Sequence, residues 1–241
     1  MDQAVIRWAD RNIGRIICFL LTVVRRSIDA FRGGSAYREK ASRIVFIKLV
    51  EQGSTVLAYS ALKKAESLVG KENLFFLVFK ENRPVIDLLD IVPASNVIEI
   101  DPMSAASLVT TSFNAILRMR GEKIDAAIDM EFFSRGSAIL AYLSGAAKRV
   151  GLHLFTCEGP YRGDLFTHKL MYNPYLHAKV YFASLVEALL HKPPDANTPL
   201  HFDIPDPACE TAAFTPSENE TIACTEKIES LKRSPARKPV V

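Results

Sequence analysis

The chain has 241 residues, of which 49% are hydrophobic and 24% are charged. This is enough to bury a full core, so disorder is excluded for most of the sequence, and one large domain or one domain with appendages is expected. The formal net charge of +3 is concentrated near the N-terminus, which favours a local anionic surface over a nucleic-acid partner. The four cysteines are far apart and lack zinc-site spacing, so no metal is expected and a reducing, cytosolic compartment fits best.

An amphipathic helix is predicted first, within residues 1–32. Apolar residues recur at helical spacing along one face: Ile6, Ala9, Ile13, Ile16, Ile17, Leu20, Val24, Ile28 and Phe31. The opposite face carries Arg7, Arg11, Arg15, Thr22, Arg25 and Asp29. The longest uncharged run, residues 16–24, is far below the ~20 residues that a spanning helix needs. We therefore expect a helix in the bilayer interface with its arginines at anionic headgroups. A helix docked on a second domain or a partner is the alternative.

After a basic linker at residues 33–43, short apolar runs alternate with helical patterns. Strands are expected at residues 44–49, 74–79, 97–100, 126–129 and 149–151, and helices at residues 55–69, 83–89, 104–120, 134–144 and 175–190. Such alternation predicts an α/β domain, a Rossmann-like parallel sheet covered on both faces and spanning residues 44–191. Ligands of these sheets bind at the carboxyl ends of the strands, so the loops there are the place to seek chemistry.

The loop after the first strand lacks the GxGxxG pattern of a dinucleotide site. Gly53 suits a strand-to-helix turn, and Ser54 is expected to cap the following helix, both of which are ordinary roles. Glu51 is less ordinary, because it places a carboxylate in a loop that faces the ligand crevice.

A second polar loop follows the fourth strand. Asp129 and Glu131 lie at the strand end, and Ser134 and Arg135 lie at the start of the next helix. Taken separately, Ser134 is an N-cap, Asp129 a turn residue, and Glu131 with Arg135 a solvated i,i+4 pair. Taken together on the crevice side, they predict a polar rim around a substrate.

Residues 152–174 are predicted to form a long loop, and loops of that length tend to be functional. The segment contains Tyr161, Arg162 and Asn173 among other aromatic and hydrogen-bonding side chains. This mixture suits a sugar acceptor, and it would also suit a partner protein. Asn173 with Pro174 predicts the start of the next helix.

Four segments together resemble glycosyltransferase family 9, the ADP-heptose lipopolysaccharide heptosyltransferase type. They read RIVFIKLVEQGSTVLAYSALKKA (43–65), KENRPVIDLLDIV (80–92), DMEFFSRGSAILAYLSGAAKRVGL (129–152) and EGPYRGDLFTHKLMYNPYLH (158–177). The resemblance covers most of residues 42–190, and the last two segments are the most specific. It implies one half of a twin-Rossmann (GT-B) fold in an inverting, metal-independent enzyme without a cofactor. The N-terminal half would bind the acceptor, and the C-terminal half would bind the donor, an ADP-linked nucleotide sugar.

The family's chemistry is an in-line attack by an acceptor hydroxyl, which needs a nearby base. The resemblance implies an aspartate after the glycine of the first loop, whereas here Gly53 is followed by Ser54. A serine hydroxyl is too weakly basic for that role. Either a carboxylate replaces the aspartate, Glu51 first and then Asp129 or Glu131, or the acceptor chemistry differs. The acceptor-binding candidates are Gln52, Gly53, Ser54, Arg135, Tyr161, Arg162, Asn173 and His177.

The last part of the sequence changes composition. Residues 192–214 are rich in proline and small polar residues and predict an interdomain linker. Residues 215–218 form a capping box, a helix is expected to about residue 232, and residues 238–241 are expected to open a strand. Residues 215–241 are accordingly interpreted as the truncated start of a donor-nucleotide domain that needs on the order of 150 further residues.

The sequence thus predicts a glycosyltransferase half that acts on lipopolysaccharide or another envelope glycolipid. Its expected place is cytoplasmic, peripheral on the inner face of the cytoplasmic membrane, with an anionic membrane surface as a partner and no nucleic acid. The alternative is a non-catalytic Rossmann-like module at the membrane, which binds a glycolipid or a partner protein without transferring sugar.

Overall fold

The computed structural model of the protein describes residues 3–32, 40–153, 155, 160–193, 198–203, 212, 216 and 218–232. The chain divides into two compact units, Met1–Thr211 and Ala212–Val241. Of the second unit, the structure describes chiefly one exposed helix.

Six parallel strands form one sheet in the first unit, in the order β3-β2-β1-β4-β5-β6. They are β1 (Ile44–Ile47), β2 (Leu74–Phe79), β3 (Val97–Ile100), β4 (Ala126–Asp129), β5 (Lys148–His153) and β6 (His168–Met171). Every residue of β1, β2 and β4 is buried, as expected for strands covered on both faces. The carboxyl ends of β1 and β4 lie side by side, with Ile47 in register with Asp129.

The helices of the first unit are α1 (Gln3–Arg32), α2 (Gln52–Leu57), α3 (Tyr59–Val69), α4 (Arg83–Leu89), α5 (Ala105–Gly121), α6 (Arg135–Leu143) and α7 (Ala178–Glu187). Short 3-10 turns lie at Lys71–Asn73, Lys80–Asn82, Ala94–Asn96 and Ala188–Leu190. The second unit contains α8 (Glu218–Lys232). Among the described helices, none combines the length and the apolar character needed to cross a bilayer.

The prediction of a Rossmann-like parallel sheet is confirmed, but one strand of the sheet was not predicted. Residues 168–171 were expected to be loop and instead form β6, paired with β5. The segment His168-Lys169-Leu170-Met171 begins with two polar residues, and both are buried. Lys169 forms an ion pair with Asp164, and the His168 ring lies 3.2 Å from the His191 carbonyl oxygen. Tertiary partners therefore bury side chains that sequence alone places in solvent.

Two helix starts also differ from the expectation. The helix predicted at residues 55–69 begins at Gln52 and is interrupted at Ala58, whose amide donates to the Thr55 carbonyl. Ser54 therefore caps nothing, because it lies inside α2. The helix expected to start at Asn173 and Pro174 begins at Ala178, with His177 as its N-cap.

The polar side of α1 docks on the sheet domain. Asp10 accepts hydrogen bonds from the amides of Arg135 and Gly136 at the start of α6, both at 2.8 Å. Further along, the Thr22 hydroxyl accepts from the Asp164 amide at 2.8 Å, and Arg25 forms an ion pair with Asp164 at 3.0 Å. The sequence predicted the two faces of this helix, but the polar side that it left open is the one that docks.

The apolar face of α1 is left outward. Apart from the partly buried Ile6, its large residues are 37% to 91% exposed. They include Ile13, Ile16, Ile17, Leu20, Val24, Ile28 and Phe31. Nothing among the described residues covers this face. The linker at residues 33–43 lies mostly outside the described residues, as does the strand predicted at 238–241.

Candidate functional site

A cavity of about 1530 Å³ lies at the carboxyl edge of the sheet, between the N-terminal half of α1 and the loops after β1 and β4. We call it the crevice. It is lined by Ile6, Arg7, Asp10, Arg11, Asn12, Arg15, Ile16, Phe19, Leu49, Val50, Phe79, Glu131, Phe132, Phe133, Ser134, Arg135, Pro160 and Tyr161. This is the edge at which ligands bind in open α/β sheets.

The loop after β1 holds an exposed carboxylate in an unusual backbone conformation. Glu51 has φ 69°, in the left-handed region, which is uncommon for residues other than glycine and is often found at functional sites. Its side chain is 62% exposed. The Ser54 hydroxyl donates to the Glu51 carboxylate at 3.2 Å.

Lys48 connects the two polar loops. Its ammonium group is fully buried and lies 3.3 Å from a Glu51 carboxylate oxygen and 3.5 Å from one of Glu131. Glu131 also accepts from the amides of Leu49 at 2.6 Å and Val50 at 3.0 Å. Burial raises the pKa of Glu131, and the nearby Lys48 ammonium opposes that rise. Glu131 thus lines the crevice with most of its acceptor capacity already used to fix the first loop.

Asp129 lies beneath the crevice and is fully buried. It forms an ion pair with Arg162, which is itself 4% exposed, and it accepts from the Ser137 hydroxyl and the Glu131 amide at 3.0 Å each. Burial raises the pKa of the Asp129 carboxyl, and the Arg162 guanidinium opposes that rise. This pair ties β4 to the segment before β6 and has no open side for a substrate.

The start of α6 is held by the N-terminal helix. Arg135 forms an ion pair with Asp10 at 3.5 Å and donates to the Tyr161 carbonyl at 2.8 Å. It therefore pairs across to α1 and not with Glu131, as a solvated i,i+4 pair would. Ser134 is the N-cap of α6, as predicted, and its hydroxyl accepts from the Ser137 amide.

An aromatic cluster borders the crevice next to the carboxylates. Phe133 has φ 63°, the second left-handed residue at this edge. The ring of Tyr172 packs edge-on against Phe133 at 5.3 Å and Phe132 at 6.1 Å between centroids. Phe132 also packs on Tyr181 at 5.7 Å. Partly exposed aromatic faces beside carboxylates are suited to a sugar ring.

The structure brings some of the predicted site residues together and separates others. Glu131, Arg135 and Tyr161 line the crevice. Glu51 is not among the lining residues; it follows Val50, which is, and its carboxylate shares the Lys48 ammonium group with Glu131. The remaining candidates lie elsewhere: Asp129 and Arg162 are buried below it, Gln52 donates to the Glu81 carbonyl, Gly53 and Ser54 lie in α2, and Asn173 and His177 are exposed in the turn before α7.

Two features of the site were missed from sequence. Lys48 lies inside the strand predicted at residues 44–49, and its place in the sequence does not show that its ammonium group is fully buried between two acidic residues. Arg7, Arg11 and Arg15 line the crevice, which the sequence did not predict, and their contact with anionic headgroups stays a prediction. Their i,i+4 spacing was visible, but the surface that they would face depends on how α1 docks.

Comparisons with known proteins support the fold. No protein-family model matches the sequence, and no curated protein matches it. Among solved structures, a glycosyltransferase family 9 protein from Veillonella parvula DSM 2008 is 14% identical with a TM-score of 0.60, covering 83% of this chain and 52% of that one. E. coli heptosyltransferase WaaC, in a structure with ADP, is 17% identical with a TM-score of 0.50, covering 64% and 48%.

These neighbours have the fold that the sequence resemblance implied, which confirms the resemblance at the level of the fold. The chain spans about half the length of each of them, 52% and 48%. At this identity the comparison shows the architecture, a Rossmann-like α/β unit, and leaves the reaction to be argued from the crevice.

Proposed function

We propose that the chain is the acceptor-binding half of a glycosyltransferase that moves a sugar from a nucleotide-sugar donor, ADP-linked, to lipopolysaccharide or another envelope glycolipid. The acceptor hydroxyl would enter the crevice, and the donor would be bound by a second half. The transfer would invert the anomeric centre and use no metal. The fold neighbours support this assignment, because both are named as glycosyltransferases.

The observation that carries the proposal is the position of the Glu51 carboxylate. It lies 3.2 Å from the Ser54 hydroxyl, where the family that the sequence resembles has its aspartate. In the proposed step, the acceptor oxygen forms a bond to the anomeric carbon while the bond from that carbon to the nucleoside diphosphate breaks. The hydroxyl proton passes to Glu51, and the bonding electron pair leaves with the diphosphate. The non-catalytic alternative gives no role to an exposed carboxylate at this place.

The outward face of α1 supports a bilayer as the second partner. The helix is fixed to the sheet domain by its polar side, so its apolar side, with Leu20 at 56% and Phe31 at 91% exposure, faces away from that domain. Apolar surface of this kind is typical of interfacial helices. The same helix lines the crevice, so a bilayer on its outer side would place a glycolipid acceptor beside the opening. We therefore infer a peripheral position on the inner face of the cytoplasmic membrane.

One experiment tests the function. The chain is mixed with vesicles of phosphatidylcholine and phosphatidylglycerol, with and without added lipopolysaccharide, and sedimented. Binding should occur to the plain vesicles and increase with the glycolipid. The variant carrying Ile13→Gln, Leu20→Gln and Val24→Gln, three exposed residues outside the crevice, should lose vesicle binding at an unchanged melting temperature.

Calorimetry with ADP-, UDP- and CMP-sugars should detect no tight binding, because the donor is assigned to another half. Micromolar binding of any of them would show that the division of labour is wrong. Vesicle binding that the glycolipid leaves unchanged would contradict the assignment of an acceptor site.

A further inference from the structure

We propose that Arg7, Arg11 and Arg15, which we call the arginine row, bind phosphate or carboxylate groups of the molecule that occupies the crevice. The inference rests on the proposed function and adds the chemical class of the acceptor, namely a glycan that carries acidic groups. It also gives α1 a second role, as a wall of the site.

The orientation of the row is set by the docking of α1. Asp10 lies between Arg7 and Arg11 in sequence and is bonded to the first two amides of α6. Gly14 lies so close to Arg135 that a Cβ added there would be 3.0 Å from the Arg135 Cβ. Contacts of Thr22 and Arg25 with the segment around Asp164 fix the C-terminal half of the helix. The helix is therefore held against rotation by contacts along most of its length.

The row has the spacing of a single helix face. Residues four apart in a helix lie about 6 Å apart along one side, so the three side chains form a line along the crevice. The described part of the chain provides no ion pair for any of these three guanidinium groups. Guanidinium groups bind phosphate and carboxylate through paired hydrogen bonds.

The charges around the crevice leave a positive excess. Its lining contains four arginines, the row and Arg135, but only two carboxylates, Asp10 and Glu131. Asp10 is occupied by α6 and Arg135, and Glu131 by Lys48 and two amides. Neither carboxylate is therefore free to neutralise the row, and an anionic ligand would do so.

A bilayer alone would not neutralise the row. Helical geometry places Arg7, Arg11 and Arg15 on the side of α1 opposite the exposed Ile13, Leu20 and Val24. A bilayer in contact with the apolar face lies beyond the helix from the arginines. The three arginines are exposed and line the crevice, so a molecule that enters the crevice can reach them, such as a headgroup lifted out of the bilayer or a soluble anionic sugar.

The test measures anion binding by calorimetry on the full chain, with glucose 1,6-bisphosphate, glucose and inorganic phosphate as probes. The first variant combines Arg7→Gln, Arg11→Gln and Arg15→Gln. The matched control combines Lys40→Gln, Lys192→Gln and Lys227→Gln, three exposed lysines outside the crevice, and it removes the same net charge. A third variant with lysine at all three row positions retains the charge but loses the guanidinium fork.

The bisphosphate should bind the wild-type chain and the matched control, Lys40→Gln with Lys192→Gln and Lys227→Gln, alike. Glucose should bind neither. Loss of the row should weaken bisphosphate binding by about 10-fold or more, since hydrogen bonds to charged groups are among the stronger ones. The variant with lysine at all three row positions should bind the bisphosphate more tightly than the variant with glutamine there, but less tightly than the wild-type chain. Equal bisphosphate affinity in the wild-type chain and the glutamine variant overturns the inference. Binding of free phosphate with the same dependence on the row would show that the phosphate group alone is recognised, which supports it.

Vesicles of phosphatidylcholine and phosphatidylglycerol distinguish the two sources of the anion. The variant with glutamine at the three positions of the arginine row should sediment with these vesicles as the wild-type chain does. If it loses vesicle binding while bisphosphate binding is unchanged, the row contacts lipid headgroups and the inference is wrong. Two results together would separate the anion site from the proposed function. If bisphosphate binding depends on the arginine row but added glycolipid does not increase vesicle binding, the anion site is supported and only the proposed function is contradicted.

Discussion

The loops after β1 and β4 each place a carboxylate at the carboxyl edge of the sheet, and the structure gives the two opposite surroundings. Glu51 is 62% exposed and touches a neutral hydroxyl and one ammonium group. Asp129 is 0% exposed and is enclosed by a guanidinium, a hydroxyl and an amide. A carboxylate that must accept a proton from a substrate needs an open side, whereas one that holds two segments together does not. Position in the fold makes both residues candidates for the base. Their exposure favours Glu51 for that role and a structural role for Asp129.

The largest expected effect on this comparison is that of the change Glu51→Gln, measured in the sugar transfer that we propose. Glutamine retains the size and the hydrogen bond to Ser54 but cannot act as a base. Loss of general-base catalysis typically costs about 10²- to 10⁴-fold in rate. Turnover at saturating acceptor should fall by about that factor. The melting temperature should hardly change, because the side chain is mostly in solvent.

The control for that change is Glu81→Gln, another exposed glutamate close to the carboxyl edge, which should leave turnover unchanged. A near-wild-type rate for Glu51→Gln would remove Glu51 as the base. The same isosteric change at Glu131 would then be the next measurement, since Glu131 is the other carboxylate of the β4 loop that lines the crevice.

The opposite result is expected for the buried pair. Arg162→Met removes the guanidinium and leaves Asp129 buried without its cation. Breaking a buried ion pair in this way typically costs about 3–5 kcal/mol. Urea unfolding should show a loss of that order, and Arg120→Met, a change at an exposed arginine bonded only to the Leu143 carbonyl, should lose less than about 0.5 kcal/mol. A small loss for Arg162→Met would mean that water or a rearranged loop solvates Asp129.

The accuracy of the sequence predictions follows the same division between local and tertiary causes. Short, largely apolar runs predicted β2, β3 and β4 with the observed limits, and the pattern is clearest in β2, where every residue is apolar and buried. The strand β6 was missed because it begins with His168 and Lys169, polar residues whose burial depends on tertiary partners that include Asp164 and the His191 carbonyl oxygen. Similarly, periodicity predicted the two faces of α1, whereas the docking face was chosen by shape and partners.

The candidate site shows the same limit. Glu51 was identified from its place after a strand, since parallel topology alone brings that loop to the ligand edge. The burial of Asp129 was not visible from sequence, because Arg162 lies 33 positions away in the chain and the long segment between them had no predicted structure after residue 152. Lys48 was missed because lysine is rarely fully buried, and its acidic partners Glu51 and Glu131 come from two separate loops.

The smallest of the three expected effects concerns the junction between α1 and α6. Asp10 accepts from the amides of Arg135 and Gly136 at 2.8 Å each, which satisfies two donors that the first turn of a helix otherwise leaves without partners. A carboxylate there also interacts favourably with the helix dipole. Asp10→Ala should therefore destabilise the first unit by about 1 kcal/mol, in the range found for N-cap removal.

Asparagine distinguishes the two contributions, because it retains a hydrogen-bond acceptor without the charge. If the hydrogen bonds dominate, Asp10→Asn should recover most of the loss in urea unfolding, and salt should have little effect. If the ion pair with Arg135 at 3.5 Å dominates, Asp10→Asn should behave as Asp10→Ala does, and the loss should shrink at high salt. We expect the first result, because the pair is partly open to solvent and such pairs contribute little. No loss for Asp10→Ala would show that α1 is held by its C-terminal contacts alone, and the arginine row would then no longer be fixed over the crevice.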